Sequence, residues 1–101
     1  MLTEFTKRRF ATANPSEREA LCSRLAAAIS RTLTAAERFH PAVATVVADL
    51  RALGHDLWSY DEEDEFEVWG PDYARPSGPG ILITFRAEGS AEVTWSSSAA
   101  T

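Results

Sequence analysis

Apolar residues recur at three- and four-residue steps through the first half of the chain, a spacing typical of amphipathic helices. One helix is expected to begin after Asn14, because an Asn cap, Pro15 at the first helical position and Glu17 in the first turn suit a helix start. It should end near Phe39, since Pro41 cannot continue it. Its apolar stripe comprises Leu21, Leu25, Ala28, Ile29, Thr32, Ala36 and Phe39.

A second helix is expected from Pro41 to Gly54, where glycine suits the left-handed conformation that closes many helices. Its apolar stripe comprises Val43, Val46, Val47, Leu50 and Leu53. Before these helices, residues 1–13 form either a short helix capped by Thr3 or an irregular arm anchored by Phe5, and we favour the helix. His40 is expected to cap the second helix.

After Gly54 the hydrophobic period changes from 3.6 to 2, which indicates strands. Four strands are expected, over residues 55–60, 65–70, 81–86 and 91–95, with short links that include a turn at Glu88-Gly89-Ser90. The sequence thus predicts an α+β fold in which two main N-terminal helices, and a short first helix if it forms, pack on a four-stranded antiparallel meander.

Alternation along these strands predicts two different sheet faces. The helix-facing row would comprise Phe66, Val68, Ile81, Ile83, Phe85, Val93 and Trp95. The open row would comprise Glu65, Glu67, Trp69, Leu82, Thr84, Arg86, Glu92 and Thr94.

A chain of 101 residues, 45% hydrophobic and 25% charged, fits one globular domain, expected over residues 1–96 with a flexible tail at 97–101. No apolar run approaches the roughly 20 residues that span a bilayer. A single cysteine, Cys22, fits a reducing compartment, and we expect a soluble cytoplasmic protein. Nine arginines against one lysine favour a bacterial source.

Charge divides unevenly at Gly54. Residues 1–54 carry eight Lys/Arg and five Asp/Glu, a net +3, whereas residues 55–101 carry two and ten, a net −8. Six of the acidic side chains fall within residues 61–67, which we call the acidic segment. A patch of one sign attracts a partner of the other, so the segment predicts a docking surface for a basic protein.

The candidate partner-binding residues are Asp61, Glu62, Glu63, Asp64, Glu65, Glu67, Trp69, Tyr73 and Glu92. Two other interpretations stay open. In the first, the segment is a solvated turn whose charges protect an edge strand from aggregation. Alternatively, it meets the stripe of Arg24, Arg31 and Arg38, within one chain or between copies.

Catalytic, metal and nucleic-acid functions are disfavoured. The carboxylates lack the spacing and turn glycine of an EF-hand loop. Glu65 and Glu67 could form the carboxylate pair of a glycosidase, but such pairs are common on strands and do not by themselves indicate catalysis. Nothing in the spacing of Cys22, His40 and His55 brings them together. A net charge of −5 opposes nucleic-acid binding, and we expect no cofactor.

The sequence therefore predicts a non-catalytic protein-binding module. Small acidic proteins of this build occur among bacterial immunity proteins, and by that analogy of type the partner would be a basic protein that this chain inhibits. One alternative is a small-molecule or enzymatic site in a groove between Trp69, Tyr73 and the loop at 71–79. A second is a self-assembling module, such as a homodimer.

Overall fold

A computed structural model describes residues 2–55, 57–61, 66–70, 80–86 and 88–96. It contains the helices α1 (Lys7–Thr12), α2 (Pro15–Ala35) and α3 (Phe39–Ala52). The strands are β1 (Trp58–Asp61), β2 (Phe66–Gly70), β3 (Gly80–Arg86) and β4 (Ala91–Ser96). Neighbouring strands run antiparallel in the order β1-β2-β3-β4.

The α+β class holds, but the detailed fold prediction needs correction. The short first helix favoured for residues 1–13 is present as α1, in addition to the two main helices. Helix α2 packs on the sheet at β4, which pairs with β3 as a two-stranded antiparallel unit. Two helices on the face of a four-stranded meander are therefore not the arrangement found. The alternation of apolar and polar residues predicts where the strands lie, but it does not predict which strands a helix covers.

The start of α2 follows the prediction. Asn14 is the N-cap, its Oδ1 accepts a hydrogen bond from the Glu17 amide at 2.9 Å, and Pro15 occupies the first helical position. The start of α1 differs, since Thr6 and not Thr3 is the cap and accepts from the Arg9 amide at 3.2 Å. In both cases the cap satisfies an amide that the helix leaves free.

The boundary between α2 and α3 lies earlier than expected. Helix α2 ends at Ala35, and α3 begins at Phe39, two residues before Pro41. A proline is tolerated there because the amides of a first helical turn have no partner within the helix. Arg38 is the cap, and its side chain makes no capping hydrogen bond. His40, which was expected to be the cap, lies inside the helix.

The core is formed by residues from all three helices and from β3 and β4. Ile81, Ile83 and Phe85 are buried along β3, and their neighbours are half-buried, as the alternation predicts. The helical contribution comprises Phe10, Leu21, Cys22, Leu25, Ile29, Leu33, Val43, Val46, Val47 and Leu50. Each fully buried large apolar side chain contributes roughly 1.5–3 kcal/mol, so this single cluster stabilises the domain.

Two glycines hold the turn conformations that the sequence predicts. Gly54, just after α3, and Gly89, in the β3–β4 turn, both have φ of +98°. This region of backbone conformation is costly for residues with a Cβ. The helix stop and the hairpin turn are therefore confirmed at these positions.

Candidate functional site

The acidic segment connects two neighbouring strands. Strand β1 ends at Asp61, β2 begins at Phe66, and Asp61 pairs with Glu67 across the ladder. Residues 62–65, Tyr73 and the predicted groove at 71–79 lie outside the described residues, so these parts of the predicted site stay predictions. What the backbone establishes is that Asp61 and Glu67 lie at the same end of the β1–β2 pair.

The register of β2 against β3 corrects the predicted grouping of residues on the open face. Glu67 pairs with Phe85 and Trp69 with Ile83, and both β3 partners are buried. Directly paired residues belong to the same row of a sheet. Glu67 and Trp69 therefore share the row of Ile83 and Phe85, whereas the prediction placed them with Thr84. A shift of one residue in pairing exchanges the two rows of a strand, and the sequence of β2 does not fix that pairing.

Glu92 occupies the open row, as predicted, but it has a partner within the chain. It pairs with Thr84 across the ladder, and its carboxylate accepts a hydrogen bond from Arg86 at 2.8 Å. The two side chains are 60% and 43% exposed, so the pair contributes no more than about 1 kcal/mol. Arg86 partly neutralises this member of the predicted site.

Two members of the predicted arginine stripe, Arg24 and Arg31, lie on α2, whereas Arg38 is the cap of α3. Helix α2 packs on β4, whereas the acidic segment joins β1 and β2. Three strand spacings separate β1 from β4, or about 14 Å. Arg24 already bonds the Glu4 carboxylate, and Arg31 is exposed. The strand order therefore disfavours neutralisation of the acidic segment by Arg24 and Arg31 within one chain.

A cluster that the sequence does not reveal joins α1, α2 and β4. The Trp95 ring stacks on Phe10 at 5.9 Å between centroids, and the Arg18 guanidinium lies 4.7 Å from the Trp95 ring centre. Arg18 also donates to the carbonyls of Phe10, Ala11 and Ala13, at 2.9, 3.4 and 3.0 Å. Trp95 is thus held between an aromatic ring and a cation.

His55 ties the N-terminal residues to the end of α3. Its ring is buried, its Nε2 lies 2.7 Å from the Phe5 carbonyl oxygen, and Phe10 meets it edge-to-face at 5.4 Å. The sequence pattern predicts no such contact for His55. The only sequence signal was the pair of phenylalanines in the ambiguous stretch 1–13.

The residue types of a thiol active site do not meet in the structure. Cys22 is buried, and burial raises the pKa of its thiol above the ordinary value of 9.0, against the lowering effect of Arg18. A neutral thiol is a poor nucleophile. His40 packs edge-to-face on Phe39, and His55 bonds Phe5. Within the described ranges, no three His, Cys, Asp or Glu side chains are placed to hold a metal ion.

Comparison of the chain with protein-family models, with curated proteins and with solved structures gives no match. Among the helices of the described residues, none combines the length and the apolar character that crossing a bilayer requires.

Proposed function

We propose that this chain is a non-catalytic protein-binding module whose acidic segment docks on a basic protein. The observation that supports the proposal is the strand order, in which β1 and β2, the strands that flank the acidic segment in sequence, lie on the side of the sheet away from β4, the strand on which α2 packs. Carboxylates that lie far from Arg24 and Arg31 would be available to cations of a partner. A concentrated charge of one sign accelerates such an encounter and makes it sensitive to salt.

The finer proposal is that docking inhibits the partner, as immunity-like proteins do. A basic enzyme that binds an anionic substrate has a cationic active site, and an acidic segment of six carboxylates matches it in sign. Binding of this kind needs no catalytic group, cofactor or metal in the inhibitor.

The experiment reverses charge in the turn while sparing the strands. A basic protein retained from host lysate on the immobilised chain, and released by salt, is purified and its affinity measured. Glu62→Lys with Glu63→Lys should weaken binding at least about tenfold at low salt, with a smaller difference at high salt, because the loss is electrostatic. The melting temperature should stay nearly constant.

The matched control is Glu37→Lys with Glu88→Lys, which makes the same change of net charge at two exposed positions outside the acidic segment. This control should retain most of the affinity. Equal losses in the two double variants would mean that only net charge matters. If the turn variant instead aggregates and binds normally, the segment protects an edge strand and does not dock a partner.

A further inference from the structure

The outer edge of β4 has main-chain groups that point away from the sheet. The hairpin closes with the Arg86 amide donating to the Ser90 carbonyl at 2.9 Å. Antiparallel ladders alternate between pairs that exchange hydrogen bonds and pairs that do not. With Arg86 and Ser90 as a bonded pair, the register makes Thr84–Glu92 and Leu82–Thr94 bonded pairs as well. The amides and carbonyls of the intervening β4 residues, Ala91, Val93 and Trp95, therefore face outward.

Helix α2 covers this edge at its hairpin end. The Ala91 amide donates to the Ser30 Oγ on α2 at 3.0 Å, which also confirms the outward direction. Near the turn, a Cβ at Gly89 would lie only 3.0 Å from the Thr34 methyl group, so the hairpin is in close contact with α2. Covering an edge with a helix is a common protection against unwanted strand pairing.

Towards Trp95 the helix and the strand leave a groove of about 440 Å³. This volume lies within the usual range for ligand sites. The walls of the groove comprise Pro15, Arg18, Glu19, Cys22, Ser23, Val93, Thr94 and Trp95. In the part of the chain that the structure describes, no residue hydrogen-bonds the main chain of Val93 or Trp95. Val93 is buried and Trp95 is half-buried, so two residues of strand edge have unpaired main-chain groups at the floor of the groove.

One acidic side chain of the groove suits a basic occupant. Arg18 keeps its positive charge, but its Nε and Nη2 donate to three carbonyls of the α1 end and its guanidinium stacks on Trp95. Glu19 on the same wall is exposed, and no described cation forms an ion pair with it. The groove therefore offers a carboxylate next to a free strand edge.

We propose that an extended segment of a basic partner adds to β4 as a further strand in this groove. Its main chain would exchange hydrogen bonds with Val93 and Trp95, and a lysine or arginine side chain would meet Glu19. Main-chain pairing supplies affinity and the alternate side chains supply selectivity, as in other strand-addition complexes. This surface is distinct from the acidic segment, so either proposal can fail without the other.

The probe is an acetylated, amidated hexapeptide of alternating valine and lysine, titrated into ¹⁵N-labelled protein. On binding, the Val93 and Trp95 amides should become protected from hydrogen exchange, whereas Thr94, already inside the ladder, should change little. Two N-methylated peptides, one modified at every valine and one at every lysine, test the pairing. Because alternate amides point to opposite edges, only one of the two should lose binding.

The charge contribution is tested at Glu19, which is exposed. Glu19→Lys should weaken binding of the valine–lysine peptide about fivefold and strengthen that of a valine–glutamate peptide, as expected for one exposed ion pair. The control Glu37→Lys should leave both affinities nearly unchanged. Equal binding of both N-methylated peptides, or no protection of Val93 and Trp95 at millimolar peptide, would overturn the proposal.

Discussion

Arg18 shows how one side chain connects three elements. It projects from α2, donates to three carbonyls at the end of α1, and covers the outer face of Trp95 on β4. A planar guanidinium fork suits this task because it donates in several fixed directions while its face stacks on a ring. Arg24, six residues later, instead makes an exposed ion pair with Glu4 and lies 5.9 Å from the Phe5 ring centre.

These two arginines make a matched comparison. Arg18→Lys should lower the free energy of unfolding by about 1–2 kcal/mol, because lysine keeps the charge but cannot bond all three carbonyls and stack. Arg24→Lys should cost less than about 1 kcal/mol, as exposed ion pairs do. Urea unfolding of both variants measures the difference. Equal losses would show that Arg18 acts only through its charge.

At the scale of elements, the β3–β4 hairpin and the C-terminal half of α2 form one packed unit. Gly89 approaches Thr34, and Ser30 bonds the Ala91 amide. The positive φ of Gly89 serves both purposes, since it closes the turn and removes the Cβ that would meet Thr34. Docking of the hairpin therefore depends on a glycine for its size as well as its conformation.

Gly89→Ala should lower the free energy of unfolding by about 1–2 kcal/mol for conformation alone, and further through the contact with Thr34. Thr34→Ser removes the nearest methyl group, so Gly89→Ala should cost less in the Thr34→Ser background. A double-mutant cycle by thermal or urea unfolding isolates this coupling. Gly54→Ala shares the φ of +98° and its nearest contact is 3.5 Å, so it reports the conformational part. Strictly additive losses would contradict the close approach.

Local signals in the sequence predicted the elements better than their packing. The Asn14 cap, the alternation along β3 and the turn at Gly89 each depend on a few neighbouring residues, and all three are confirmed. The row of Glu67 depends on pairing with a strand more than ten residues away, and the role of Arg18 depends on contacts among three elements. Neither can be read from periodicity. The acidic segment could be found by composition, but its relation to the arginines required the strand order.

Across the whole molecule, the core closes within one chain while the charges divide between its two halves. Among the described residues, buried side chains from α1, α2, α3, β3 and β4 form a single cluster within one chain. The radius of gyration is 12.9 Å, close to the roughly 13 Å of a compact domain of this length. The +3 half of one copy and the −8 half of another have opposite charge, so they could attract each other.

We expect a monomer at both low and high salt. Light scattering coupled to size exclusion should give the mass of one chain, 11.1 kDa, at about 20 mM and at about 500 mM salt, a range over which screening of exposed charges changes strongly. A mass that rises at low salt and falls at high salt would support head-to-tail self-assembly. It would also contradict the proposal that the acidic segment binds a different, basic protein.

The stacking of Trp95 on Phe10 has a consequence for synthesis on the ribosome. Phe10 precedes Trp95 by 85 positions in the chain, so Phe10 is synthesised long before the ring that stacks on it. Until then Phe10 has only the rings of Phe5 and His55 as aromatic neighbours, and the Arg18 guanidinium lacks the ring on which it stacks. The apolar surface of the nascent helices stays exposed until β4 leaves the exit tunnel. We therefore expect folding to be completed only after nearly the whole domain has been synthesised.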